Sequence, residues 1–396
     1  MIQLEIQKDA IKGGNVWVRF NGQTKRGQFE ELFDVDESKL RLKDANVIIN
    51  CPLFTSVFEV CQDNSLTSIS ATSKSIAIGT STGGIGIIPR MLLQDSNITD
   101  CHIVSKSNEI DIENHETQRK LHGKAIYNPA AHIVSTNKVL FFPSNSVLLT
   151  LGLDTAICIW SVVDSPIENP ARKFFGGHKS QVTDCVMIGR GRNIITGGLD
   201  GQIIIWEIGS AEKIWSGRRI KALDDSVNCL AISQMNSSTI TDDQNGKYFD
   251  TQGKVIAVGH KSGVVSLWDC YLRLSLCEFD TKLEISSIAS NGTTIITGHI
   301  DGSIRAWNFN LEDKKVNMEW EISIETVEDL EDDFTVKKIV YANSIYVLTP
   351  RKFVKLSKSG QLEEVIAGWD WLNDFTITDN AIYGAGKFGE LFQWDL

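Results

Sequence analysis

The strongest constraint on this chain is a segment that recurs. Residues 148–160 read LLTLGLDTAICIW and residues 194–206 read IITGGLDGQIIIW. Residues 255–268 read VIAVGHKSGVVSLW, 294–307 TIITGHIDGSIRAW and 381–394 AIYGAGKFGELFQW. Two weaker copies are SIAIGTSTGGIGII at 75–88 and SIYVLTPRKFVKL at 344–356. Each copy is a short apolar run, a tight turn and a second apolar run, which is the signature of a β-hairpin. The second run is often apolar without alternation, as at Ile203, Ile204 and Ile205. Such a strand is covered on both faces, so its sheet must lie between other sheets. A shorter apolar segment precedes most hairpins, as in VTDCVMI at 182–188 and VNCLAIS at 227–233. A more polar strand after the hairpin would complete a four-stranded unit.

The hairpins end on Trp160, Trp206, Trp268, Trp307 and Trp394. The closer intervals approach the roughly 40–45 residues of a propeller blade. The pattern resembles the WD repeat and covers most of the chain. It implies an all-β fold, a seven-bladed WD-repeat β-propeller counting the two weak copies. Two blades hold the repeat's full polar set: His132, Thr150, Asp154 and Trp160, then His178, Thr196, Asp200 and Trp206. In WD repeats these side chains form a buried chain of hydrogen bonds, with the acid fixing the imidazole and the hydroxyl bridging it to the indole. The fifth blade keeps Thr297, Asp301 and Trp307 without a matching histidine, and the fourth has Ser262 where the aspartate belongs. The set recurs blade by blade, and tryptophan has no place in a catalytic triad, so it reads as structure rather than catalysis.

The last hairpin ends at Leu396, which leaves its blade one strand short. An open outer edge invites aggregation. TSVFEV at 55–60 is expected to seal it, giving a ring over 53–396 and a small β-rich N-terminal domain over 1–52. Two polar insertions, 91–130 and 233–252, read as solvated surface loops.

Net charge is -11, from 39 basic and 50 acidic residues, which argues against nucleic acid or an anionic membrane surface as partner. No apolar run reaches the roughly 18 residues that span a bilayer. The eight cysteines form no C-x-x-C and sit in strand-like runs, as expected of small buried hydrophobes in a reducing compartment. The histidines have no metal-ligand spacing, and STGG at 81–84 lacks the lysine and helix of a phosphate loop. Neither an enzyme nor a bound metal or cofactor is expected.

The acid has proposed addresses. Asp224 and Asp225 lie before the fourth blade, Glu328, Asp329, Glu331, Asp332 and Asp333 before the sixth, and Trp369, Asp370 and Trp371 before the seventh. Loops joining successive blades share a face with the hairpin turns. Acid beside a tryptophan pair suits a basic partner with an apolar anchor. Lys261, Arg351 and Lys387 dilute that field.

Over 138–212 the resemblance narrows. FFPS before the second hairpin and GRGRN before the third resemble the proteasomal ATPase-associated factor family, as does YFDTQGKVIAVGHKSGVVSLWD in the fourth blade. The resemblance implies a monomeric, cytoplasmic and nuclear assembly chaperone of the proteasome regulatory particle base. Its partner would be the C-terminal domain of the sixth ATPase subunit, and it would leave before the mature proteasome forms. A generic WD-repeat scaffold or a ubiquitin-ligase substrate receptor is the alternative.

Overall fold

The computed structural model describes side chains over 64–90, 127–162, 167, 169–174, 176–235, 246–324, 333–364, 366 and 372–396, and elsewhere the backbone of strands. The fold is an all-β, seven-bladed propeller of the WD-repeat type. The third blade shows the plan: Val182–Ile188, Asn193–Gly198, Ile203–Glu207 and Glu212–Gly217 pair antiparallel in chain order. The second, fourth, fifth and sixth blades are likewise four-stranded sheets.

The doubly apolar strands are explained by the stacking of blades. Leu148 and Trp160 pack towards the first blade, with Ile85, Ile87 and Val139. Leu149, Leu151 and Ile159 face the other way, onto Cys185, Ile194, Ile204 and Trp206 of the third blade. Alternation therefore separates two apolar faces, one for each neighbour. Each large side chain fully buried in these seams contributes about 1.5–3 kcal/mol of transfer free energy.

The first strands carry a second device. In six blades the pairing of first and second strands slips by one residue, at Thr67, Asn137, Thr183, Asn228, Ser286 and Asn373. A bulged residue is released from the ladder and its side chain is re-aimed. Each of these donates to a backbone carbonyl of the next blade. Asn137 reaches Val182 at 3.4 Å, Thr183 reaches Val227 at 2.7 Å, Asn228 reaches Ile285 at 2.9 Å and Ser286 reaches Val336 at 2.8 Å. Lys337 supplies the sixth link, to Leu372 at 2.8 Å, and Asn373 returns to Leu66 at 2.9 Å. Thr67 bonds Thr136 and completes a closed circuit of seven.

At two pairs of joints the neighbouring residues add an ion pair. Lys138 pairs with Asp184, whose other oxygen accepts the Leu230 amide at 2.7 Å. Lys338 donates to Asp374 at 2.6 Å, and Asp374 accepts the Ile69 amide and the Ser68 hydroxyl, both at 2.9 Å. Each aspartate thus joins three consecutive blades.

The seventh blade, Leu372–Ile377, Ala381–Gly386 and Glu390–Asp395, has the strand Ser56–Glu59 as its outer neighbour, with Phe392 opposite Val57. Insertion 91–130 is not wholly loop. It holds a hairpin, Cys101–Lys106 with Glu109–Asn114, that pairs with Ser56–Glu59 on one side and Ala125–Asn128 on the other. The seventh and first blades are thereby fused into one ten-stranded sheet. Residues 2–50 hold two three-stranded antiparallel sheets, Ile2–Ile6 through Gln23–Gln28 and Phe33–Asp36 through Val47–Asn50.

Candidate protein-binding face

Hairpin turns and inter-blade loops are stitched together on one side of the ring. The Leu199 amide donates to Gln181 at 2.9 Å, and Ser226 of the next loop donates back to the Leu199 carbonyl at 2.9 Å. The Lys261 amide reaches Ser226 at 3.0 Å, and the His132 amide reaches Gly83 at 3.0 Å. Turn and loop thus hold each other, and together they form a broad, preformed surface.

Beneath it lie the polar sets. His178 Nδ1 is 3.1 Å from Asp200, its Nε2 is 2.8 Å from the Thr196 hydroxyl, and the Trp206 indole donates to that hydroxyl at 2.8 Å. The second blade repeats this with His132, Asp154, Thr150 and Trp160 at 3.1, 2.7 and 2.9 Å. Burial pushes both imidazoles below their usual pKa against the pull of their aspartates. A neutral ring with its proton on Nδ1 satisfies every partner. Asp154 and Asp200 are raised by burial, but backbone amides and the histidines more than reverse this and hold them low.

The fourth and fifth blades hold the same chemistry differently, and here the sequence reading needs correcting. The fifth blade has its histidine: His299, two residues along the strand from Thr297, bonds that hydroxyl at 3.0 Å, and Trp307 does the same at 3.0 Å. In the fourth, His260 bonds Ser266 at 2.8 Å, and Trp268 donates to Ser266 at 2.9 Å. Ser266 stands opposite Val258, the position matching Thr196, so the hydroxyl has crossed to the partner strand.

Glycine explains why the two arrangements exclude each other. His260 and His299 occupy the strand position of Gly152 and Gly198. A Cβ at Gly198 would lie 2.6 Å from His178 Nδ1, and one at Gly152 would lie 2.3 Å from His132 Nδ1. The imidazole arrives either from the loop over a glycine or from the strand itself. The signal was legible as Gly-His at 259–260 and 298–299.

Asp225 is also reassigned. Its side chain is only 7% exposed and pairs with Arg219, itself 7% exposed. It accepts the Ser262 amide at 3.0 Å and the Ser262 hydroxyl at 2.6 Å, while Arg219 reaches Glu278 at 3.2 Å. The loop therefore supplies the carboxylate and the strand the histidine, the reverse of the third blade. An acid so engaged has no free charge for a partner. Asp224 and Asp333 are exposed on the surface. Glu328, Asp329, Glu331, Asp332, Trp369, Asp370 and Trp371 lie outside the described residues. Lys179, Lys221 and Lys261 are exposed beside Asp224, so this sector is not acidic.

The GRGRN stretch finds its partner in the end of the second insertion. Asn193 donates to Trp206 at 3.1 Å and Lys247 at 3.0 Å, and accepts the Phe249 amide at 2.5 Å. The Arg192 guanidinium lies 3.5 Å from the Phe249 ring centroid. The Arg190 amide donates to Asp250 at 3.3 Å. Residues 247–250 are thus strapped to the third blade rather than free in solvent.

Fold, stitched face and polar sets define a WD-repeat propeller. Residues 169–207, from the outer strand of the second blade through the third strand of the third, match the family described as WD domain, G-beta repeat. The chain is 30% identical to the 26S proteasome regulatory subunit RPN14 of Saccharomyces cerevisiae over 45% of this chain and 44% of that protein. It is 24% identical to the pre-mRNA-splicing factor cwf17 of Schizosaccharomyces pombe over 56% of each. It is 21% identical to a WD repeat-containing protein 91 homolog of Dictyostelium discoideum, over 55% of this chain and 27% of that protein. The matches thus span between about a quarter and just over half of these relatives.

Proposed function

We propose that this chain is a non-catalytic assembly chaperone of the proteasome regulatory particle base. It holds the C-terminal domain of one ATPase subunit, the sixth, on the stitched face and is released before the mature proteasome forms. The observation that carries the reading is the similarity to a proteasome regulatory subunit at 30% identity. The face supports it, being wide and made of loops fixed to one another. The recurring His/Thr/Asp sets support a non-catalytic role, since each is saturated by its own tryptophan and amides. The action is steric: a bound ATPase domain is kept from docking early, and correct assembly competes for the same surface. We read the protein as a cytoplasmic and nuclear monomer, with residues 1–52 a separate unit in front of the ring.

Titration calorimetry of the full chain against the purified ATPase domain tests it. Saturable binding is expected, weakened by reversing charge at Glu331, Asp332 and Asp333 and flattened in its salt dependence. No binding by the folded chain overturns the reading. On native gels the protein should travel with assembly intermediates and be missing from complete proteasomes.

A further inference from the structure

We propose that the sector of this face over the third and fourth blades docks an acidic segment bearing apolar anchors. Its centre is the loop from Arg218 to Ser226. Ile220 is 88% exposed and Leu223 is 56% exposed. Leu199, on the adjoining turn, is also exposed, and the Leu223 carbonyl lies against Gly201 of that turn. Single exposed hydrophobes are ordinary, but a group of them on one preformed surface marks an interaction site.

The loop is held from beneath. Between the exposed neighbours, Arg219 turns inward and engages Asp225, Glu278 and Ser262. Asp225 also caps the next turn through Ser262. With its polar residues anchored, the loop presents Ile220 and Leu223 in a fixed position, and ordering on binding costs little.

Charge names the occupant. Lys179, Lys221 and Lys261 are exposed around the apolar group, and Arg218 is half-buried beside it. Among the described residues none of these four forms an ion pair, while Asp225 is neutralised by Arg219 and Asp280 by Lys282. Asp224 opposes them at the surface, while Asp200 beneath Lys179 and the Asp225 and Glu278 carboxylates that share Arg219 are acids turned inward. Cations ringing a pair of aliphatic side chains complement glutamate or aspartate flanking a leucine or similar anchor. The inference goes beyond the chaperone reading, whose acids lie at 328–333 and 369–371, so either can fail without the other.

The probe is a fluorescein-labelled peptide of about twelve residues with leucines set between glutamates, titrated with the full chain by anisotropy. Saturable binding is expected. Ile220→Ser with Leu223→Ser should weaken it about tenfold or more. Lys221→Glu with Lys261→Glu should weaken it about fivefold and reduce its salt dependence. Ile133→Ser, at an exposed site beside the second blade, should leave it unchanged. The proposal is overturned if no saturable binding is seen, if a lysine-for-glutamate peptide binds as tightly, or if the serine variant binds normally. It is also overturned if a single-stranded oligonucleotide of equal charge competes as well as the peptide, since that places recognition in charge alone.

Discussion

Asn373 donates its side-chain amide to the carbonyl of Leu66 at 2.9 Å, across 307 positions of sequence. The bond joins the seventh blade to the first and is chemically the same joint that Asn228 makes to Ile285 within the ring. The closure is therefore one more inter-blade joint, strengthened by the shared carboxylate of Asp374 next to it.

Asp374→Ala should be among the more destabilising single changes at this joint. It strips acceptors from the buried Ile69 amide and Ser68 hydroxyl and leaves Lys338 without its carboxylate. An orphaned buried donor costs about 1–3 kcal/mol, and the partly exposed lysine adds less than a fully buried charge would. A loss of about 2–4 kcal/mol in urea unfolding is expected. Asp333→Ala, at an exposed site, should shift the midpoint very little. Equal effects would deny the joint its role.

The two histidine arrangements can be exchanged. Gly198→His alone should destabilise the third blade, because its Cβ would strike His178. A clash of this kind costs about 1–3 kcal/mol. Adding His178→Ala removes the obstacle and leaves the new imidazole beside Thr196, as His299 stands beside Thr297. The double variant should recover at least half of the loss, a coupling readable in a thermodynamic cycle. Simple additivity of the two costs would show that the sites are not equivalent.

Much of this fold was legible because hydrophobic period and turn chemistry are local. The doubly apolar run Ile203–Ile205 announced a strand covered on both sides, and its two neighbours supply that cover. The polar sets of the second and third blades were legible because their spacing is fixed by the hairpin. His260, His299 and Ser266 were not found by that template. They preserve the contacts while changing which strand or loop delivers the group, and spacing alone does not encode equivalence in space. The charge of Asp225 was misread for a related reason. Its partners Arg219 and Ser262 are 6 and 37 residues away, and only the fold shows that the acid is spent internally.

Acid should weaken the fold well before the carboxylates titrate. His132, His178 and His299 are held below their ordinary 6.5 chiefly by burial, and His260 is lowered to about 4. Between 6.5 and the lowered value the unfolded chain binds more protons than the native one, so stability falls as pH falls. The loss should begin near pH 6.5 and continue towards about 4 as the buried rings resist protonation. Asp154 and Asp200 are depressed from 3.8, so their contribution is present above that value and lost below it. Urea midpoints at a series of pH values from 7.5 downwards check this. A flat profile from 7 to 5 would contradict it.

Asn193 gives the most local test of the strap. It is fully buried and holds three backbone groups at once, of Trp206, Lys247 and Phe249. Asn193→Ala leaves those groups without their partner and removes the anchor of residues 247–250, which then depend on the Arg192 stack on Phe249 and the Tyr248 hydroxyl bond to Ile214 at 3.0 Å. Global stability should fall by about 1–3 kcal/mol. Cleavage near Lys247 by trypsin should accelerate more than cleavage elsewhere, because local opening needs less free energy than unfolding the ring. Arg192→Ala should accelerate the same cut with a smaller loss of stability, since an exposed cation–π contact is worth about 0.5–1 kcal/mol. If Asn193→Ala raised all cleavages in proportion, residues 247–250 would be an integral part of the third blade, opening only with it, and not a strap laid across its surface.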